Sequence, residues 1–133
     1  MQHTISFGLA ALALTVSSTP LQAQQEPLSV GRVELCSTYE NRRCVEPRTA
    51  FGVSDARLYA RVHLVNAVAA EDEVSVELQT NDGARRAAIT LSVPARRRYR
   101  TLARFPMPPS GSYRIVVRSA AGDVLSTTEL SVR

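Results

Sequence analysis

The side chains with the most distinctive chemistry form an arginine cluster, which consists of Arg96, Arg97, Arg98 and Arg100 around Tyr99. Guanidinium groups form paired hydrogen bonds with phosphate, sulfate and carboxylate, so the cluster predicts a binding site for an anionic ligand such as lipopolysaccharide or another polyanion. All 16 basic residues of the chain are arginine, and a base-composition bias in the gene is an alternative explanation for that excess. A single tyrosine does not make the stacking platform that single-stranded nucleic acid requires, so nucleic acid is not an expected partner.

Two cysteines, Cys36 and Cys44, are the only cysteines of the chain and lie eight residues apart. In an exported protein, such a pair is typical of a disulfide, which over so short a loop stabilises the fold by about 2–3 kcal/mol. A redox pair usually has the spacing CxxC, and a metal site needs more ligands than two thiols. The sequence therefore predicts a disulfide, with no metal and no cofactor.

A hydrolytic site would have to use His63, because the other histidine lies in the N-terminal segment discussed below. No GxSxG nucleophile elbow accompanies it, and the alternation of its strand places it on a solvated face. The acidic run at residues 71–73 lacks the oxygen-ligand spacing of an EF-hand and is expected to be solvated. Paired carboxylates for glycoside hydrolysis remain open, because sequence does not show distances in space. We predict a protein that is not an enzyme, with a small hydrolase as an alternative.

The N-terminal residues 1–23 are predicted to form a signal peptide. The apolar run at residues 5–16 has the length of a signal-peptide core and is too short to cross a bilayer as a helix, and the small Ala23 suits the position before a cleavage site. We therefore expect a periplasmic or secreted protein whose mature chain has no transmembrane segment. Residues 24–29 are expected to be a flexible leader, and residues 30–133 a single domain.

The sequence of that domain shows the alternating pattern of β-strands. In residues 57–66, Leu58, Ala60, Val62 and Leu64 alternate with polar residues, as expected for a strand with one buried face. About seven such strands, and no amphipathic helix after residue 23, predict an all-β fold: two packed antiparallel sheets in an immunoglobulin-like sandwich, with a small open barrel as the alternative.

Two hairpins are the clearest local predictions. The sequence Asn81-Asp82-Gly83 is a strong signal for a tight turn between two strands. Residues 111–132 form the second hairpin, in which Gly122 supplies the positive φ that a tight turn requires.

Three stretches of the chain resemble the bacterial domain of unknown function 2914, a family of exported or membrane-anchored envelope proteins. They are CSTYENRRCVEP with the later Phe51 and Leu58-Tyr59, then Tyr99-Arg100-Thr101, and finally the hairpin with Gly111, Tyr113, Ile115, Val117, Gly122, Val124 and Leu125. The chain departs from the pattern in having no tryptophan. The resemblance implies a β-sandwich in the cell envelope, and it names no reaction.

These observations together predict a non-catalytic interaction or structural domain of the bacterial cell envelope, with an unknown envelope protein or an anionic envelope ligand as its partner. A binding module for an anionic ligand, acting through the arginine cluster, is the main alternative.

Overall fold

The computed structural model of the protein describes residues 27–133. The predicted signal peptide at residues 1–23 lies outside the described residues, as do residues 24–26 of the predicted leader. Within the described range the chain consists of strands and connecting turns, without a helix. Its ten strands are β1 (Leu28–Cys36), β2 (Thr38–Glu40), β3 (Arg43–Val45), β4 (Ala50–Phe51), β5 (Arg57–Asn66), β6 (Asp72–Thr80), β7 (Arg85–Val93), β8 (Arg98–Pro106), β9 (Gly111–Ser119) and β10 (Val124–Val132).

The strands form two main sheets and a separate hairpin. One sheet has three strands in the order β1-β5-β8, the other has five in the order β4-β10-β9-β6-β7, and β2 pairs only with β3. The alternating apolar residues of each sheet face the other sheet and make one core. Leu58 and Val62 of β5 and Val76 and Ile115 of the opposite sheet are fully buried there. The all-β prediction is confirmed, and the packing of the two sheets is that of a β-sandwich.

The strand count and the strand directions differ from the prediction. Ten strands are present in the described residues, rather than about seven, because β2, β3 and β4 have only two or three residues each and are too short to show a period in the sequence. The layout is not wholly antiparallel, since β4 pairs in parallel with β10 through Ala50 and Ser131. The first strand begins at Leu28, two residues before the predicted start of the domain at residue 30.

The two predicted hairpins are confirmed. The first joins β6 to β7, where the amide of Thr80 donates to the carbonyl of Ala84 over 2.8 Å and Gly83 has a φ of 93°. The second joins β9 to β10, where the amide of Ser119 donates to the carbonyl of Asp123 over 2.8 Å. Both turns need a residue with positive φ, which glycine adopts without the steric cost that a side chain brings.

No helix in residues 27–133 is long and apolar enough to span a membrane.

Candidate functional site

The outer face of the three-stranded sheet carries two members of the predicted arginine cluster, Arg98 and Arg100. The inward row of β5 is apolar, so the alternation of the strand directs Arg61, His63 and Val65 outward. Across the sheet, Arg100 pairs with His63 and Arg98 pairs with Val65, so these arginines lie on the same outer face. Two neighbouring strands thus place Arg61, Arg98 and Arg100 on one outer face, with Val65 and Leu102 between them.

The β2–β3 hairpin lies over this face. The predicted disulfide between Cys36 and Cys44 is present, with a Cα–Cα distance of 5.6 Å, and it joins the end of β1 to β3. The ring of Tyr39 stacks on that of Tyr59 of β5 at a centroid distance of 5.9 Å, which fixes the hairpin on the sheet. Its turn contains Arg42 with a φ of 61°, in the left-handed region that favours glycine.

The hairpin and the sheet together enclose an open groove of about 700 Å³. Six arginines line it, and we call it the arginine groove: Arg42 and Arg43 from the hairpin, Arg61 from β5, and Arg96, Arg98 and Arg100 from β8 and the turn before it. The other lining residues are His63, Asn41, Thr101, Tyr39, Tyr99, Leu64, Val65 and Leu102. Within residues 27–133, no Asp or Glu contributes to this lining.

Glu34 of β1 contacts two of the residues that line the groove, Arg61 and His63. Its carboxylate contacts His63 Nε2 at 2.7 Å, Arg32 at 2.9 Å and Arg61 at 4.0 Å. Burial alone raises the pKa of Glu34, but the hydrogen bonds from His63 and Arg32 and the charge of Arg32 outweigh burial and hold the pKa below its ordinary value. Arg61 therefore has a carboxylate partner, and His63 is hydrogen-bonded to the same carboxylate.

The other five arginines of the groove have no such compensation. Among the residues that the structure describes, no carboxylate lies within 4.0 Å of the guanidinium groups of Arg42, Arg43, Arg96, Arg98 or Arg100. Five like charges without counter-charges raise the local positive potential, and an anionic ligand lowers the free energy of such a surface.

The predicted cluster is brought together only in part. Arg96, Arg98 and Arg100 line the groove, whereas Arg97 does not; instead, its carbonyl accepts a hydrogen bond of 2.7 Å from the amide of Asn66. Sequence reasoning missed Arg42, Arg43 and Arg61 as members of the site. The disulfide prediction already placed Arg42 and Arg43 in one closed loop, but nothing in the sequence showed on which surface that loop packs.

The turn that carries Arg96 is held by Asn66, a residue without any signal in the sequence. The Asn66 side chain is buried and donates to the carbonyl of Ala70 over 2.7 Å and to that of Pro94 over 3.4 Å. These bonds connect the end of β5 with the turn between β7 and β8, which fixes the backbone just before the arginines.

His63 and the acidic residues 71–73 are the other candidates for a catalytic or metal site. In the described part of the chain, the only side-chain hydrogen bond of His63 is with Glu34, so no hydroxyl or thiol stands where a Ser-His-Asp mechanism places its nucleophile. Glu71, Asp72 and Glu73 line a separate cleft. No group of three or more His, Cys, Asp or Glu side chains within residues 27–133 is arranged to hold a metal ion.

Comparison with known proteins finds structures with a similar fold, but it does not assign the chain to a family. No protein-family model matches the chain, and no curated protein matches it in sequence. The resemblance to the domain of unknown function 2914 therefore stays a prediction.

The solved structures that are similar to this one include the three that follow. The CARDB domain of the PF1109 protein of Pyrococcus furiosus, crystallised with two metal ions, is 17% identical over 79% of this chain and 91% of that domain, with a TM-score of 0.48. A β-glucosidase of Listeria innocua in complex with glucose is 12% identical over 79% of this chain and 15% of the enzyme, with a TM-score of 0.49.

The third is an endonuclease/exonuclease/phosphatase of Beutenbergia cavernae, 16% identical over 80% of this chain and 35% of that protein, with a TM-score of 0.38. This chain therefore spans only a small part of the second and third proteins. At these identities and scores, the likeness carries no argument about a ligand or an activity.

Proposed function

We propose that this protein is a non-catalytic, exported domain of the bacterial cell envelope that binds an anionic ligand in the arginine groove. The observation that carries the proposal is the convergence of five uncompensated arginines from two separate parts of the chain on one groove. Lipopolysaccharide and other polyanions of the envelope offer the phosphate or carboxylate groups that guanidinium binds in a bidentate manner.

Some arginines elsewhere on the sandwich have a carboxylate partner, whereas others, such as Arg86 and Arg114, have none within 4.0 Å in the described residues. Arg85 and Arg118 both contact Glu77, at 2.8 Å and 3.0 Å, and Arg48 contacts Asp55 at 3.4 Å. A general excess of arginine in the gene places these residues anywhere on the surface. It does not account for the meeting of five arginines, from the β2–β3 hairpin, from β8 and from the turn before it, around one groove.

The finer fold assignment belongs to the same proposal. The hydroxyl of Tyr113, near the start of β9, donates to the carbonyl of Pro109 over 2.6 Å. This contact resembles the tyrosine corner of immunoglobulin-like sandwiches, in which a tyrosine hydroxyl bonds to the backbone a few residues upstream. It supports an immunoglobulin-like sandwich as the framework that presents the groove.

The test is retention on immobilised heparin and on immobilised lipopolysaccharide. Replacing Arg98 and Arg100 by serine removes two groove cations, and we expect affinity to fall by about tenfold or more, because each lost charge-assisted hydrogen bond contributes on the order of 1.5–3 kcal/mol. The matched control replaces Arg97 and Arg133, which are exposed and outside the groove, by serine. It changes the net charge equally and should elute close to wild type. Equal losses in both variants would show that only net charge matters and would overturn the proposal.

A further inference from the structure

The outward row of β8 extends beyond the arginine groove. Its members are Arg98, Arg100, Leu102 and Arg104, and Arg104 pairs with Tyr59 across the sheet. Outward residues of a strand are about 7 Å apart, so the row from Arg98 to Arg104 is about 20 Å long. A compact anion contacts neighbouring members of this row, and only an elongated one contacts both ends.

The row is also open along its length. Within the described residues, β8 pairs only with β5 and forms one edge of the three-stranded sheet. The β2–β3 hairpin packs mainly on β1 and β5. It therefore borders the row on the side of β5 and does not border it on the side of the sheet edge. Arg98, Arg100 and Arg104 are exposed. An extended chain can lie parallel to β8 with both of its ends in solvent.

Apolar surface alternates with the charges. Leu102 lies between Arg100 and Arg104 and is only partly buried, and Val65, beside Arg98, is 41% exposed. The sugar rings of a polysaccharide have apolar faces that pack on such side chains, whereas a polyphosphate offers none. Single-stranded nucleic acid needs free aromatic faces for its bases. In this groove the ring of Tyr39 already stacks on Tyr59, and Tyr99 is partly buried and packs against the core.

We propose that the anionic ligand is a linear acidic polysaccharide that lies along β8, with successive charged groups bound by Arg98, Arg100 and Arg104. This inference rests on the proposed function and adds the shape and chemical class of the ligand. Arg104 distinguishes it from simple anion binding, because Arg104 lies outside the arginine groove and only a chain that follows the strand reaches it.

The experiment compares size-defined heparin oligosaccharides, from disaccharide to octasaccharide, with inositol hexakisphosphate as a compact polyanion and with linear polyphosphate. Binding is measured by isothermal titration calorimetry. We expect affinity to rise with oligosaccharide length and to level off once the chain spans the row, with inositol hexakisphosphate at least tenfold weaker than the longest oligosaccharide. The Arg104→Ser variant should lose several-fold in affinity for the octasaccharide and none for the disaccharide, and Arg97→Ser should change neither.

Each of the other outcomes would overturn a different part of the proposal. An affinity that does not depend on length, or inositol hexakisphosphate bound as tightly as the octasaccharide, overturns the linear ligand and leaves anion binding in the groove intact. Polyphosphate bound as tightly as the octasaccharide overturns the polysaccharide assignment. Absence of binding to all three probes overturns the proposed function, and this inference with it.

Discussion

Glu77 is a carboxylate on the outer face of the five-stranded sheet, yet it is only 2% exposed. Three side chains cover it: Gln79 donates over 2.8 Å, Arg118 over 3.0 Å, and Arg85 forms an ion pair at 2.8 Å. Burial alone raises the pKa of Glu77, but these hydrogen bonds and the charges of Arg118 and Arg85 outweigh it and hold the pKa below its ordinary value of 4.5. The surrounding arginines thus stabilise a charge that the sheet buries.

The lowered pKa of Glu77 makes its contribution to stability depend on pH. The folded protein binds this proton more weakly than the unfolded chain, so the contribution is complete above the ordinary value of 4.5 and is lost as pH falls through the folded pKa. We expect Glu77→Gln to reduce the free energy of unfolding at neutral pH by about 1–3 kcal/mol, and the deficit relative to wild type to shrink in acid. Thermal unfolding followed from neutral pH to about pH 3 measures this. The control is Glu73→Gln at an exposed site, and a deficit that is constant with pH would contradict the explanation.

At the scale of elements, the β2–β3 hairpin is the part of the site that depends most on covalent support. Its strands have three residues each, and an isolated hairpin of that size is not stable in water. The disulfide and the stacking of Tyr39 on Tyr59 supply what hydrogen bonding between such short strands does not. The position of Arg42 and Arg43 in the groove therefore depends on Cys36 and Cys44.

Reduction of the disulfide should weaken both stability and binding. We expect the Cys36→Ser/Cys44→Ser variant to lose about 2–3 kcal/mol in the free energy of unfolding, because the unfolded chain gains the freedom of an opened loop. Its affinity for immobilised heparin should fall because Arg42 and Arg43 are no longer held opposite β8, and some binding by the β8 arginines should remain.

The comparison variant for this effect is Arg42→Ser/Arg43→Ser in the oxidised protein. It should lose as much heparin affinity as the cysteine variant while its thermal unfolding stays close to that of wild type. If the protein without the disulfide binds heparin as tightly as wild type, the hairpin is not part of the site.

Some elements can be predicted from the sequence and others cannot. The difference is whether an element is determined by neighbouring residues or by residues far apart in the chain. The alternation in β5 and the turn at Gly83 are local properties, so the inward row and the hairpin follow from neighbouring residues. The parallel pairing of β4 with β10 and the position of the hairpin on β5 depend on contacts between distant parts of the chain, which a local pattern does not encode. Arg97 and Arg98 are neighbours in the sequence, yet only Arg98 lines the groove. The reason is that β8 begins at Arg98, and the alternation of a strand fixes side-chain directions only from its first residue onward.

At the scale of the whole molecule, the two outer faces of the sandwich differ in electrostatic character. On the face with Glu77, Arg85 and Arg118 share that carboxylate, and in the arginine groove five arginines have no carboxylate within 4.0 Å in the described residues. An envelope location would bring the second face close to anionic polysaccharides and lipids, and an oxidising compartment would maintain the disulfide.

Export is tested on the intact protein. We expect a mass that begins near Gln24 and no alkylated thiol when the protein is isolated from its native compartment without reductant, because a cleaved signal peptide and an oxidised Cys36–Cys44 pair both accompany export. Alkylation after reduction is the control, and it should add two labels. A full-length mass with two labelled thiols before reduction would contradict export. Nucleic acid would then be a candidate ligand of the arginines.

The edge strand β8 has one more consequence, which concerns solubility. An unpaired strand edge is a template for association with another sheet, and like charges on its side chains keep such edges apart. In this protein those charges are Arg98, Arg100 and Arg104, which are also the groups expected to contact the polysaccharide. A ligand that neutralises them removes the repulsion, so molecules crowded on one anionic chain would tend to aggregate edge to edge where free molecules stay dispersed.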